Sequence, residues 1–387
     1  MFMYNKALSF PVGRSGSNRE TRNKEDDMAI DFNSERWLEV KQNARDWWAG
    51  KLGRPLIQMI LTGRDPGRPE PRLKHVAKEV TSYDIRVTPD DIVDNWDYYL
   101  SGLEFLGDAF PRIWPDFGAG VLAAFLGARP ESGQGTIWFH PDRDRAIKDL
   151  HFKLDSNNIW LGRIKQIAGT AMERWGGLVQ VGMTDLGGNL DVLSTFRPGE
   201  KLIMDLVDYP EEVKRLTWEE HEAWWESFDA INAVLKRLNP GHTAWTPIFS
   251  DTPYYMLQCD FCYMIGPAMF DEFVRPELEA SCRKLDHAFY HLDGVGALPH
   301  LDALLSMPAL KGVQWVPGAG KEQGEAWPDV YRKILNAGKR AQFIGNWRSF
   351  DKIVDKIGPA SNFVLIGFAD ISERTEVMAF LKRHGAI

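Results

Sequence analysis

Residues 288–316 read AFYHLDGVGALPHLDALLSMPALKGVQWV and hold a complete strand–helix–strand unit. Ala288–Leu292 and Gly312–Val316 are short apolar runs that end at polar residues or at proline and glycine, which is typical of buried strands. Leu298–Ser306 lies between them with the apolar spacing of a short helix. A strand, a helix and a second strand in this order predict two parallel strands joined by a helical connection.

The same alternation extends over most of the chain. Further strands are predicted at Leu56–Leu61, Arg112–Pro115, Leu178–Met183, Thr243–Ile248, Ala341–Gly345 and Phe363–Gly367. Further helices are predicted at Glu35–Trp48, Pro89–Leu106, Arg143–Arg174, Pro210–Leu238, Pro267–His287 (kinked at Pro276), Ala326–Ala337, Asp351–Ile357 and Arg374–His384. Strands that alternate with helices in this number predict an α/β fold, a (β/α)8 TIM-type barrel. A doubly wound sheet is the alternative, but neither Gly294–Gly296 nor Gly318–Lys321 completes a phosphate-binding loop.

Composition narrows the classes of function. The 387 residues carry 46 Lys+Arg against 54 Asp+Glu, and this acidic balance argues against a nucleic-acid partner. No apolar run approaches the roughly 18 residues that a membrane span requires. Three cysteines are too few for a disulfide scaffold, which favours a reducing, cytoplasmic location. Residues 1–27 are polar and charged and are expected to be a disordered N-terminal extension, so the barrel domain is predicted to span 28–387.

Residues that can act in catalysis or binding lie at or just after the ends of the predicted strands, where a barrel would place its pocket. These residues are Asp185, Asn189, Trp245, Asp260, His291, Asp293, Gln314 and Trp315. Carboxylates, an imidazole and amides at successive strand ends favour an enzyme with a small-molecule substrate. Asp185 and Asp191 are expected to orient substrate or to cap turns in their Gly-rich loop.

The sequence His291-x-Asp293 has the spacing that brings two side chains to one face of a strand. An imidazole and a carboxylate this close can hold a divalent metal or act as an acid–base pair. The structural alternative is a hydrogen-bonded histidine and an aspartate that caps the next helix. Cys259-x-x-Cys262 could supply metal ligands or a redox pair, or could be two small buried residues.

Several stretches resemble the uroporphyrinogen decarboxylase superfamily, which includes corrinoid-dependent methyltransferases. They are MIGPAMFDEFVRP at 264–276, YHLDG at 290–294, DLGGNLD at 185–191 and RPLI at 54–57. The resemblance covers the chain from about Arg54 to its end and implies a (β/α)8 barrel with its pocket at the carboxyl ends of the strands.

Two departures from the superfamily bear on the reaction. The decarboxylases hold the substrate's propionates with an arginine-rich loop after the first strand, and this chain has Gln58–Arg64 there without the arginine pair. The zinc-dependent methyltransferases have His-x-Cys where this chain has His291-x-Asp293, and a further cysteine where it has Gly367–Asp370. His291 and Asp293, completed by Asp260 or Cys259, would suit a harder, oxygen-bound metal. Metal-free acid catalysis by the same residues stays open.

The leading hypothesis is a methyltransferase of the corrinoid-linked type. It would move a methyl group between a small methylated substrate or acceptor and a cobalamin carried by a separate corrinoid protein. His291, Asp293 and Asp185 are the expected catalytic residues, with Asp260, Gln314, Trp245, Trp315 and Asn189 in substrate binding. The metal ligands would be His291, Asp293 and Cys259, with zinc as one option, and a homodimer is allowed for. A decarboxylase or lyase acting on a small carboxylate without cobalamin is the alternative, and a non-catalytic binding barrel is a third.

Overall fold

The computed structural model describes residues 30–73, 79–133 and 136–387, and the predicted disordered extension at 1–27 lies outside these residues. The helices are α1 Ser34–Trp48, α2 Glu79–Tyr83, α3 Pro89–Ser101, α4 Leu122–Phe125, α5 Ile159–Trp175, α6 Leu190–Phe196, α7 Lys201–Asp208, α8 Pro210–Leu235, α9 Pro267–Met269, α10 Arg275–Lys284, α11 Leu301–Ser306, α12 Pro328–Asn336, α13 Phe350–Ile357 and α14 Arg374–Arg383. The strands are β1 Leu56–Thr62, β2 Glu104–Gly107, β3 Arg112–Ile113, β4 Arg129–Gly133, β5 Thr136–His140, β6 Gln180–Val181, β7 Tyr254–Gln258, β8 His287–Asp293, β9 Leu310–Val316, β10 Arg340–Phe343 and β11 Phe363–Asp370.

A mostly parallel sheet organises the described part of the chain. Seven of its strands pair in the order β2-β1-β11-β10-β9-β8-β7, and every neighbouring pair is parallel except β1 with β2. Two smaller sheets pair β3 with β6 in parallel and β4 with β5 in antiparallel orientation. The chain is therefore a mixed α/β protein, as predicted. Closure of these ladders into a barrel stays a prediction, because the described pairings do not join β7 to β6.

Helix α1 covers the amino ends of the parallel strands. The indole of Trp48 stacks on His287, the first residue of β8, with ring centroids 4.0 Å apart, and its N–H donates to the Phe249 carbonyl. Trp37 is buried and donates its indole N–H to the Leu178 carbonyl at 2.8 Å. The opposite, carboxyl ends of the strands are left to the connecting loops, so the side chains predicted at strand ends lie there.

The predicted strand Thr243–Ile248 is wrong, and β2, β4, β5 and β7 were not predicted; of these, β7 is the one that leads into Asp260. The backbone carbonyls of Ala244 and Trp245 accept from Arg112, and the Pro247 carbonyl accepts from Gln58, so side chains take the place of a strand ladder. Pro247 has no N–H to give to a ladder. The run YYMLQ at 254–258 pairs with β8 instead. Its residues are all buried, so it shows none of the alternation that marks a half-exposed strand.

Helix boundaries differ where glycine, proline or a β-pair intervenes. The predicted helix Pro89–Leu106 ends at Ser101, because Glu104–Gly107 pairs with β1. Of the predicted helix Arg143–Arg174, the structure has α5 and a 3-10 turn at Ile147–Asp149. Ahead of Pro276, residues Phe270–Val274 form a π-helical turn, which accommodates the backbone that a proline cannot bond.

No helix in the described ranges is long and apolar enough to cross a membrane.

Candidate functional site

One imidazole and two carboxylates converge at the carboxyl ends of β7 and β8. His291 and Asp293 lie on the same face of β8, as the alternation along a strand predicts. Asp260 begins the 3-10 turn that follows β7. His291 Nε2 lies 3.9 Å from Asp260 Oδ1 and 4.0 Å from Asp293 Oδ2, and one ligand atom from each residue falls within 4.8 Å of the others. These separations are long for hydrogen bonds and close to those of ligands that share one ion.

A hydrogen bond behind His291 fixes which ring nitrogen faces the carboxylates. Gln314 donates its amide N–H to Gln342 Oε1 at 2.7 Å, so its carbonyl oxygen faces His291 Nδ1. Nδ1 therefore donates to Gln314, and Nε2 faces Asp260 and Asp293. Metal-bound histidines are held in this way by a partner on the other ring nitrogen. The indole of Trp245 meets the imidazole edge to face at 5.2 Å and restricts its rotation.

The electrostatics of the site favour a cation. Burial raises the pKa of Asp260, the nearby His291 lowers it, and the like charge of Asp293 raises it again. Among the described residues, none donates a hydrogen bond to Asp260 Oδ1, although this atom is buried. A buried carboxylate oxygen is costly when it lacks a donor or a counter-charge. An ion or a protonated substrate group between Asp260 and Asp293 would meet this need.

A cavity of about 400 Å³ opens beside the two carboxylates. Its walls come from the loops after β7, β8 and β9, and they are formed by Asp260, Tyr263, Asp293, Gly294, Val295, Pro317, Gly318, Ala319 and Lys321. This volume lies within the range of small-molecule sites. Tyr263 and Lys321 were not predicted as site residues, because each lies in a loop whose path the sequence does not specify.

Asp185 lies deeper, after β6, and is fully buried. Its Oδ1 accepts from the Gly187 N–H at 2.9 Å and from Gln258 Nε2 at 3.1 Å. Burial raises the pKa of Asp185 to about 7, and the charge of Asp260 adds to the rise. The Asp185 carboxyl can therefore carry a proton near neutral pH. The Gly187 contact is the turn cap that was one of its two predicted roles, and the orientation of substrate by Asp185 stays a prediction.

Three predicted site residues take structural positions. Asn189 caps α6 with φ at 52° and donates to Glu277 Oε2 at 2.8 Å, so its side chain points into the helix layer. Trp315 follows Gln314 on β9 and therefore faces the other side of the strand, where it packs on Trp327. Cys259 is buried beside Cys262, burial raises the pKa of its thiol, and its sulfur is outside the converging ligand atoms. For Asn189 the deciding contact comes from Glu277, which is distant in sequence.

Comparison with known proteins adds a fold relationship. No protein-family model matches the chain, and no curated protein sequence matches it. A solved structure, a methyltransferase from Methanosarcina mazei, is similar with a TM-score of 0.57 and 12% sequence identity. The similarity covers 89% of this chain and 98% of that chain. At this level of identity it shows that the two chains share their fold over nearly their whole length.

Proposed function

We propose that this chain is a methyltransferase of the corrinoid-linked type, built on the (β/α)8 barrel of the uroporphyrinogen decarboxylase superfamily. The observation that carries the proposal is the convergence of His291, Asp260 and Asp293 beside a small-molecule cavity at the carboxyl ends of parallel strands. The fold shared with a methyltransferase supports the class, and the stretches at 264–276 and 290–294 support the superfamily.

Several contacts support the barrel. The first strand of the sheet, β1, pairs in parallel with the last one, β11, from Leu56↔Val364 to Thr62↔Asp370. Beyond the β3–β6 pair, the Gly182 N–H donates to the Ile113 carbonyl at 2.7 Å, which extends that pairing toward the site. A barrel would place β3 and β6 between β1 and β7. Asp185 and Asp260 would then share one rim.

The residues fit a divalent metal. Ligand distances near 2.1 Å from one ion place neighbouring ligand atoms roughly 3–3.5 Å apart, slightly closer than the separations seen here. The set of one imidazole nitrogen and two carboxylate oxygens suits zinc, manganese or iron. A metal held there would act as a Lewis acid on the heteroatom that carries the methyl group. Without a metal, protonated His291 with Asp293 would supply the proton for that heteroatom.

The remaining residues of the site orient the imidazole and bind the substrate. Gln314 and Trp245 keep the imidazole in place, and Asp185 donates or accepts a proton beside Gln258. Tyr263, Val295 and Pro317 give the cavity an apolar wall for a small substrate. A cobalamin on a separate corrinoid protein would accept or deliver the methyl group at the open mouth of this cavity. Such a partner, a cytoplasmic location and a homodimer are parts of the same proposal.

The test is methyl transfer to added cobalamin. Purified protein, reduced cob(I)alamin and a panel of methylated amines, thiols and methoxy compounds would be followed by the absorbance change on cobalamin methylation. His291→Ala should lower the rate at least about a hundredfold, since it removes the group that acts on the leaving heteroatom. The matched control is His287→Ala, because His287 lies on the same strand but at its amino end, against Trp48. A rate that is the same in His291→Ala and wild type would contradict the proposal.

One observation favours a second function, a decarboxylase or lyase acting on a small carboxylate. The raised pKa of Asp185, about 7, makes this carboxyl a proton donor near neutral pH, as carbanion protonation requires. Release of carbon dioxide from small carboxylic acids in the absence of cobalamin, lost in Asp185→Asn, would support this function. Turnover that depends strictly on cobalamin would exclude it.

A further inference from the structure

Asp260 is the first residue of a turn whose first backbone N–H groups need acceptors from outside the turn. It opens the 3-10 turn Asp260–Met264, and the residue before it, Cys259, makes no side-chain capping bond to the turn. The first backbone N–H groups of such a turn have no partner within it. Their partner in this protein must come from elsewhere in the fold.

The carboxylate of Asp191 supplies that partner. Asp191 Oδ2 accepts from the Asp260 N–H at 2.8 Å, and Oδ1 accepts from the Phe261 N–H at 2.7 Å. Both carboxylate oxygens are thus used on two successive backbone amides. Asp191 belongs to the first turn of α6, in the connection that follows β6, so this contact joins two separate strand ends.

Asp191 is itself held in place by the helix layer. The preceding cap, Asn189, adopts a left-handed backbone conformation that is uncommon for a residue with a side chain. It donates to Glu277 Oε2 at 2.8 Å, and Glu277 Oε1 accepts from Ser281 at 2.6 Å and contacts His221 Nδ1 at 2.7 Å. Helices α8 and α10 therefore fix the start of α6, and the Asp191 carboxylate extends from the first turn of that helix.

We infer that Asp191 is a positioning residue, whose carboxylate holds the backbone at Asp260 so that the Asp260 side chain faces His291. This inference rests on the proposed use of Asp260 in the site. Asp191 does not line the cavity and reaches it only through the backbone of the turn. Its loss would free the turn and move Asp260 Oδ1 away from His291 Nε2, now 3.9 Å apart.

A first measurement tests whether the turn is held in place, and its result does not depend on any proposed function. Cys259 directly precedes this turn, Cys262 lies in it, and both are buried; Cys282 is a buried reference on α10. Labelling by a thiol reagent, quantified for each cysteine by mass spectrometry, should be at least about tenfold faster at Cys259 and Cys262 in Asp191→Ala, with Cys282 unchanged. Asp191→Asn keeps one acceptor oxygen and should fall between Asp191→Ala and wild type.

The matched control is Asp108→Asn. Asp108 is buried and accepts a backbone N–H, that of Ile57, at 2.9 Å, but it lies at the amino end of β1. This variant should leave the labelling ratio of Cys259 and Cys262 to Cys282 as in wild type. A ratio unchanged in both Asp191 variants, or raised equally in Asp108→Asn, would overturn the inference.

A second measurement reads the site. Co²⁺ titration, followed by its visible absorption, should give a dissociation constant about 10–100-fold higher in Asp191→Asn than in wild type and in Asp108→Asn, as for other residues behind a metal ligand. Equal Co²⁺ affinities in wild type and Asp191→Asn would overturn the inference. Wild-type protein that binds no Co²⁺ would instead count against the metal site, and the labelling would still decide the role of Asp191.

Discussion

At the residue scale, the chemistry of the site depends on a few side chains that the sequence partly revealed. The alternation of side chains along a strand is enough to place His291 and Asp293 on the same face. Their Nε2 and Oδ2 atoms lie 4.0 Å apart. Asp260 was expected at a strand end, but its approach to His291 requires β7, which the sequence did not indicate. Gln314 accepts a hydrogen bond from the far side of the imidazole, and its predicted contact with substrate stays a prediction. A contact between side chains on neighbouring strands, such as that of His291 with Gln314, depends on the register in which the strands pair.

The first prediction concerns Asp185 and pH. Burial raises the pKa of Asp185 from 3.8 to about 7, so between these values the folded state binds more protons than the unfolded state. Stability from this group is complete at acid pH and is lost as pH rises through 7, by about 3 kcal/mol between pH 5 and pH 8. Asp185→Asn should remove that part of the pH dependence, because an amide does not titrate.

Urea unfolding of both proteins at a series of pH values measures this. Other buried carboxyls, including Asp116 with a pKa raised to about 8 by burial, act in the same direction and should leave a remaining slope in the variant. The exposed Asp302→Asn serves as control. Parallel stability curves for wild type and Asp185→Asn would contradict the assignment.

At the element scale, the connections after β7 and β8 pack closely enough to require glycine. A Cβ built at Gly296 would lie 2.7 Å from ring atoms of Tyr263, a distance that real contacts do not show. This packing holds Tyr263 against the cavity wall beside Gly294. In the sequence, Gly294 and Gly296 stood out only as part of an incomplete phosphate-binding loop. Which aromatic ring lies on them was not predictable, because Tyr263 comes from the preceding connection.

The second prediction is a paired substitution at this contact. Gly296→Ala should displace the Tyr263 ring and destabilise the protein by about 1 kcal/mol, at the lower end of overpacking costs since Tyr263 is half exposed. In the Tyr263→Ala background the same change should cost close to nothing. Thermal or urea unfolding of the four proteins gives the coupling energy. Equal costs in both backgrounds would show that the ring does not meet Gly296.

At the scale of the whole molecule, the two ends of the sheet have different roles. The carboxyl ends hold the candidate site, and the amino ends are covered by α1. Alternating strands and helices were enough to predict a mixed α/β protein and most of its later strands. In the middle of the chain, β3 and β6 lie within the predicted strands Arg112–Pro115 and Leu178–Met183 but are only two residues each, and the segment at 243–248 is held by side chains of other elements. Short pairs of this kind have too few residues to show a period.

The third prediction separates the two ends. Trp37→Ala should lower the free energy of unfolding by about 3–5 kcal/mol, because Trp37 is buried against Phe110 and Phe249 and donates to Leu178. Leu38→Ala is the matched control, since its side chain is 69% exposed. Co²⁺ affinity should be the same in both variants as in wild type. A change in affinity in Trp37→Ala alone would show that the two ends are coupled.

The most direct test of the account is the metal content of the protein purified without added metal and after reconstitution with zinc, manganese or iron. Wild type should hold roughly one equivalent of divalent metal per chain, as one set of three ligands implies. His291→Ala and Asp293→Ala should each lose it, while His287→Ala and Asp302→Asn keep it. Wild-type protein that stays empty after reconstitution would contradict the metal site, and His291 with Asp293 would then act as an acid–base pair or serve the fold alone.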